Sequence, residues 1–108
     1  MKYILLSLLL FFNTLWAFDA ADVKKVKEDG DCPMCDLSGA DLRGLDLSMS
    51  DFSDANFSKS NIKGASFVKA TLSHTDFGEA RIWKGDFSYA YIDQCNFDDS
   101  YNVPHKLD

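Results

Sequence analysis

From Cys35 to Asp99 a large apolar residue stands at every fifth position: Leu37, Leu42, Leu47, Phe52, Phe57, Ile62, Phe67, Leu72, Phe77, Ile82, Phe87, Ile92 and Phe97. Among all Leu, Ile and Phe of that stretch, only Leu45 lies off this phase. Two residues before each centre is a second regular position, small in every case but Leu45: Cys35, Ala40, Ser50, Ala55 and so on to Cys95. A period of five matches neither a helical face, which recurs every 3.6 residues, nor a strand face, which recurs every two. The pattern therefore predicts one turn per repeat. Positions two apart on an extended segment share a face, so the small and the large residue point inward together. The residue between them, usually Asp or Asn, points out, and the remaining two supply turn chemistry from Ser, Gly, Lys and Asp. A single repeat cannot bury its own Leu or Phe, whereas stacked repeats can, so the stretch reads as a solenoid.

Written as A-(D/N)-L-x-x, beginning Cys35-Asp36-Leu37-Ser38-Gly39 and Ala40-Asp41-Leu42-Arg43-Gly44, the thirteen repeats closely resemble the bacterial pentapeptide-repeat family. The resemblance implies an all-β fold: a right-handed quadrilateral parallel β-helix, four repeats to a coil and about three coils, with the large and small positions filling its interior. Function varies widely within that family, so the resemblance speaks for architecture and leaves activity open. Some of its members mimic DNA against topoisomerases. That role needs a long acidic rod, whereas these coils span roughly 15 Å at the usual strand spacing.

The flanks divide the rest of the chain. Residues 1–17 combine Lys2 with a mostly apolar run from Ile4 to Trp16, the layout of a secretory signal peptide with cleavage after Ala17. Retention as an uncleaved anchor is the alternative, although the run is short of the roughly 20 residues that span a bilayer. Residues 18–34 read as an N-terminal cap, charged between Ala20 and Asp31, with a short helix ending near Gly30 to shield the exposed strand edge. The repeats follow over 35–99. Residues 100–108 form a tail in which Asn102 breaks the pattern and Pro104 stops the ladder. The expected location is the bacterial periplasm or the exterior. Without residues 1–17 the chain carries ten Lys and Arg against seventeen Asp and Glu, a net charge of −7. That acidity argues against nucleic acid as a partner, and after cleavage no membrane contact is expected.

Cys32-Pro33-Met34-Cys35 is a C-x-x-C whose frame places Cys32 at a centre and Cys35 at a small position. In an oxidising compartment such a pair is suited to a structural disulfide that clamps the first coil to the cap; two reduced, buried thiols are the other reading. A thioredoxin-like role would need a following helix, and none is patterned after Cys35. Haem attachment would need His where Asp36 stands, and a zinc site would need further ligands, whereas His74 and His105 are isolated. No metal or other cofactor is expected. Cys95, three coils from Cys35, is expected to be a free, buried thiol.

With four repeats to a coil, residues twenty apart share a face, and the second face is the one with a positive balance. It carries Arg43, Lys63, Arg81 and Lys84 against Asp41, with Trp83 beside them and Tyr101 just beyond. Trp, Tyr and Arg dominate binding hot spots, so these residues form the candidate binding surface for a protein partner. A solvated face on which charges fall into columns is the competing reading. On the third face, Leu45, Ala65 and Gly85 run against Leu47, Phe67 and Phe87, which suggests volume compensation. No nucleophile, base and orienting group stand at an interpretable spacing, so no catalytic residues are assigned. The chain reads as an exported scaffold or protein-interaction module, monomeric or dimerised through the last coil around Phe97 and Tyr101. A thiol-redox or metal-handling accessory protein built on Cys32 and Cys35 is the alternative.

Overall fold

The computed structural model describes residues 18–100. The expected signal peptide, Tyr101 and most of the tail lie outside them. Helix α1 spans Ala20–Asp29. Asp19 caps its start by accepting from the Ala21 amide at 2.9 Å, and Gly30, at φ 89°, ends it by donating to the Val26 carbonyl at 3.1 Å. Val26 is buried, and Val23 and Phe18 pack beside it against the core. The helix thus packs against the first repeats, and no helix of the described residues is long and apolar enough to cross a membrane.

Beyond the helix the backbone winds as a β-helix solenoid with a period of twenty residues and four sides. Parallel bridges join Asp36 to Asn56, Asp41 to Asn61, Asp46 to Ser66 and Asp51 to Thr71, one on each side. The ladder begins at Cys32, whose amide donates to the Asp51 carbonyl at 2.8 Å, and Cys32-Pro33-Met34 is already a repeat turn. Strand content is lower than an all-β reading implies. Two short strands, β1 (Thr71–Ser73) and β2 (Tyr91–Asp93), pair in parallel, and elsewhere the pairing is by single bridges. The reason is the turn in every repeat, which leaves each side too short for a longer strand. Both strands lie on the fourth side, where Thr71 and Tyr91, residues that favour extended backbone, replace Asp or Asn.

Every amide of a typical repeat has a defined partner. In the repeat centred on Leu37, the Leu37 amide donates to Asn56 (2.7 Å), Gly39 to Ser58 (2.9 Å), and Ala40 closes the turn onto Leu37 (3.1 Å). One coil on, the Asn56 amide donates back to Cys35 at 2.8 Å. The amide just after each centre has no backbone acceptor in this scheme, and the Asp or Asn just before the centre supplies one. The Ser38, Ser48, Ser53 and Ser58 amides donate to Asp36, Asp46, Asp51 and Asn56 at 2.9–3.2 Å. This Asx turn accounts for the acidic position, since an unpaired amide in the coil wall would be costly.

The residue two after each centre is left-handed in every repeat from Met34 to Asp99, with φ between 56° and 72°. Gly39, Gly44 and Gly64 hold this position easily, whereas Met49, Lys59, His74 and Tyr89 hold it with a side chain attached.

The centres form the core. Those from Leu37 to Phe87 are buried, and Ile92 and Phe97 are partly buried at the last coil. Phe57, Phe77 and Phe97 stack on the first side at 4.9 and 5.1 Å between ring centroids, and Phe67 on Phe87 at 4.9 Å on the third. These distances match the spacing of hydrogen-bonded strands, so a single backbone repeat sets both. Hydroxyls at small positions turn back to the chain: Ser60 donates to the Phe57 carbonyl at 2.6 Å, Thr75 to Phe52 at 2.9 Å. No buried side-chain N or O atom among the described residues lacks a partner.

Candidate functional site

The second side places Arg43, Lys63 and Trp83 in one column and Gly44, Gly64 and Lys84 in the next, each residue one coil from its neighbour. All of these but Trp83, which stands beside it, line a shallow open groove of about 600 Å³ together with Leu45, Asp41 and Lys27. The amides of Gly44 and Gly64 join the coils below them, donating to Lys63 and Trp83 at 2.9 Å, and leave the glycine Cα atoms as the floor. A Cβ at either glycine would meet no atom within 4 Å, so the floor is clear on its outer side.

Arg43 is held by its own repeat. Its Nε and Nη2 donate to Asp41 Oδ1 and Oδ2, both at 2.8 Å. This bidentate contact lowers the Asp41 carboxyl from its ordinary value and raises the guanidinium, although both side chains are well exposed. Arg43 is therefore partly neutralised, which a column of charges read from the sequence overstates. Lys63 and Lys84 behave differently: each places its ammonium 4.6 Å from the centre of the Trp83 ring, a cation–π contact from each. Neither makes an ion pair among the described residues, and Trp83 remains 44% exposed. Arg81 lies on the same side without lining the groove, and Tyr101 lies outside the described residues. Lys27, contributed by α1, was not legible as a member of this surface, because nothing in the repeat pattern says where the cap docks.

The cap also completes the edge of the first coil. The Asp36 and Asp51 amides take side-chain acceptors where later coils use a backbone carbonyl; Asp22 Oδ2 accepts from the first at 2.9 Å and Asp31 Oδ1 from the second at 2.8 Å. Beneath the helix Cys32 and Cys35 form a disulfide, with Cα atoms 5.5 Å apart, and both are buried. Asp22 comes within 4.8 Å of the two sulfurs, yet its carboxylate is engaged by Asp36 and the sulfurs by each other. Cys95, in the last described coil, is free, as expected, but half-buried instead of buried. Its thiol donates to the Leu72 carbonyl, and burial pushes its pKa up, which disfavours the reactive thiolate.

The first side carries the opposite character. Ser58, Asp76, Gly78, Glu79, Asn96, Asp98 and Asp99 line a smaller acidic groove of about 250 Å³.

Eight copies of the pentapeptide repeats pattern match residues 35–73. A solved pentapeptide repeat protein from the thylakoid lumen of Arabidopsis thaliana is 29% identical, with a TM-score of 0.57 over 77% of this chain and 61% of that one. The chain thus spans about three fifths of that protein's length. HetL, a pentapeptide repeat protein involved in heterocyst differentiation regulation from the cyanobacterium Nostoc, is 25% identical over 62% of this chain and 34% of its own, with a TM-score of 0.36. No curated protein matches the chain. Residues 35–73 thus carry pentapeptide repeats, wound twenty residues to the coil about a column of Leu, Ile and Phe.

Proposed function

We propose that this protein is an exported, non-catalytic interaction module, a right-handed quadrilateral β-helix of about three coils whose second side binds a protein partner. The observation that carries this reading is Trp83: a large aromatic ring, 44% exposed, flanked by two ammonium groups on the one side of an acidic molecule where positive charge collects. Exposed aromatic and cationic residues are those that anchor interfaces. Export is supported by the composition of residues 1–17, by a disulfide that persists in oxidising compartments, and by the lumenal origin of the Arabidopsis relative. The periplasm or the exterior of a bacterial cell suits all three. Burial of Cys32 and Cys35 favours a staple between cap and coil over thiol exchange, which needs an accessible sulfur.

The test is capture of partners by the tagged full chain from its native envelope, with and without the paired changes Arg81→Ala and Trp83→Ala. Loss of a captured protein with an unchanged melting curve supports the second side as the interface. Undiminished capture rejects it.

A further inference from the structure

We infer that the groove beside Trp83 takes an extended acidic segment of a protein, with carboxylates two residues apart; this rests on the reading of the second side as an interface. Four features of the groove point to that chemistry. Its ends are both cationic, Lys27 on the cap and Lys84 in the third coil, and Lys63 stands between them on the wall. The ammonium groups of Lys63 and Lys84 crowd around one indole ring without an ion-paired carboxylate among the described residues. A carboxylate placed there relieves their mutual repulsion, whereas Arg43 already has Asp41.

The floor selects for a main chain. Gly44 and Gly64 leave open space where side chains would stand, so a peptide backbone can approach closely. The Lys63 and Lys84 ammonium groups, each 4.6 Å from the Trp83 ring centre, lie no more than about 9 Å apart, and alternate side chains of an extended segment sit roughly 7 Å apart on one face. Acids two residues apart on such a segment reach both ammonium groups together. Long polyanions are disfavoured by their surroundings: the chain as a whole carries −6, and the first side presents Asp76, Glu79, Asp98 and Asp99.

The experiment titrates the full chain with a capped peptide alternating Glu and Gly, its Gln and Gly counterpart, inorganic phosphate and a short single-stranded oligonucleotide, read by calorimetry at low salt. The Glu peptide is expected to bind at least tenfold more tightly than the Gln peptide. The double change Lys63→Gln and Lys84→Gln should remove that margin, while Lys59→Gln on the first side should leave it intact. Matching melting curves would establish that the variants are folded. Equal binding of the Glu and Gln peptides, or a margin that survives the double change, overturns the inference. So does phosphate or the oligonucleotide binding as tightly as the Glu peptide, which would make this a general anion site. Should the Glu peptide fail while partner capture still depends on Arg81 and Trp83, the interface stands and its acidic ligand does not.

Discussion

At the scale of single residues, two glycines about one coil apart are needed for opposite reasons. Gly64 sits at φ 71° with open space around it, so its requirement is purely conformational. Gly64→Val should cost about 1–3 kcal/mol in chemical denaturation, the usual range for a strained left-handed residue. Gly85 is required for space: a Cβ there would come within 3.0 Å of the Ile82 carbonyl and of Phe87. Gly85→Leu should cost about 1–3 kcal/mol by overpacking the third side, and unaltered stability would show that column to be loose. The turn carboxylates add a pH dependence. Asp46 and Asp51 have pKa values below the ordinary range, first because Ser48 and Ser53 hydroxyls donate to them and then through the amides of those residues. A carboxyl depressed in the folded state contributes stability that is present above its unfolded pKa and lost as pH falls through the folded one. Stability should therefore decline on acidification below about pH 4, the unfolded value for Asp. In Asp46→Asn, which keeps an acceptor for the Ser48 amide but cannot titrate, the slope of that decline should be shallower.

At the scale of elements, the cap helix and the first coil depend on each other. Val26 inserts into the core, Asp22 and Asp31 stand in for backbone carbonyls, and the disulfide secures the chain between them. An uncovered parallel edge invites association with other chains, so the cap serves solubility as well as stability. Val26→Ala should cost about 1.5–3 kcal/mol, the value of burying a Val side chain. Hydrogen exchange should then speed up first at Asp36 and Asp51, whose partners lie in or beside the cap. Thiol titration of the unreduced, denatured chain should find one reactive group, Cys95. Finding three would remove the staple and reopen the alternative of buried thiols.

At the scale of the molecule, a coil is stabilised mainly by its neighbours, and the stacked centres are the continuous element. Phe77 lies between Phe57 and Phe97 in a stack and meets Phe67 and Phe87 edge-on. Phe77→Leu should fold with a loss of about 0.5–1.5 kcal/mol for each aromatic contact given up. Phe77→Asp should not fold, because an unpaired carboxylate has no place in that column. The charge map has the same long-range character: one side gathers cations and the first side acids, on a frame rigid enough to hold each residue one coil from its counterpart.

The winding itself was legible in the chain because period, residue size and phase all repeat without interruption, so local preference and global packing agree. Leu42, Ile62 and Ile82 are buried one above another for that reason. The disulfide was one of two open readings, and Cys32 proved to begin the ladder. Other features were legible only in hindsight. The recurring Asp and Asn read as outward-facing, but their purpose, to accept from the amide two residues on, depends on knowing which amide the ladder leaves out. The left-handed turn position was marked by Gly39, Gly44 and Gly64, yet Met49, Lys59 and Tyr89 obscured it, since a stacked wall can impose a backbone that residue type alone does not favour. Pattern along the chain determined the coil, its core and the phase of its faces, because those follow from neighbours at fixed separations. Only the tertiary structure decided that Lys27 joins the groove, that Asp41 takes up Arg43 and that Trp83 gathers Lys63 and Lys84: contacts that rest on where a capping helix docks and which way long, flexible side chains turn.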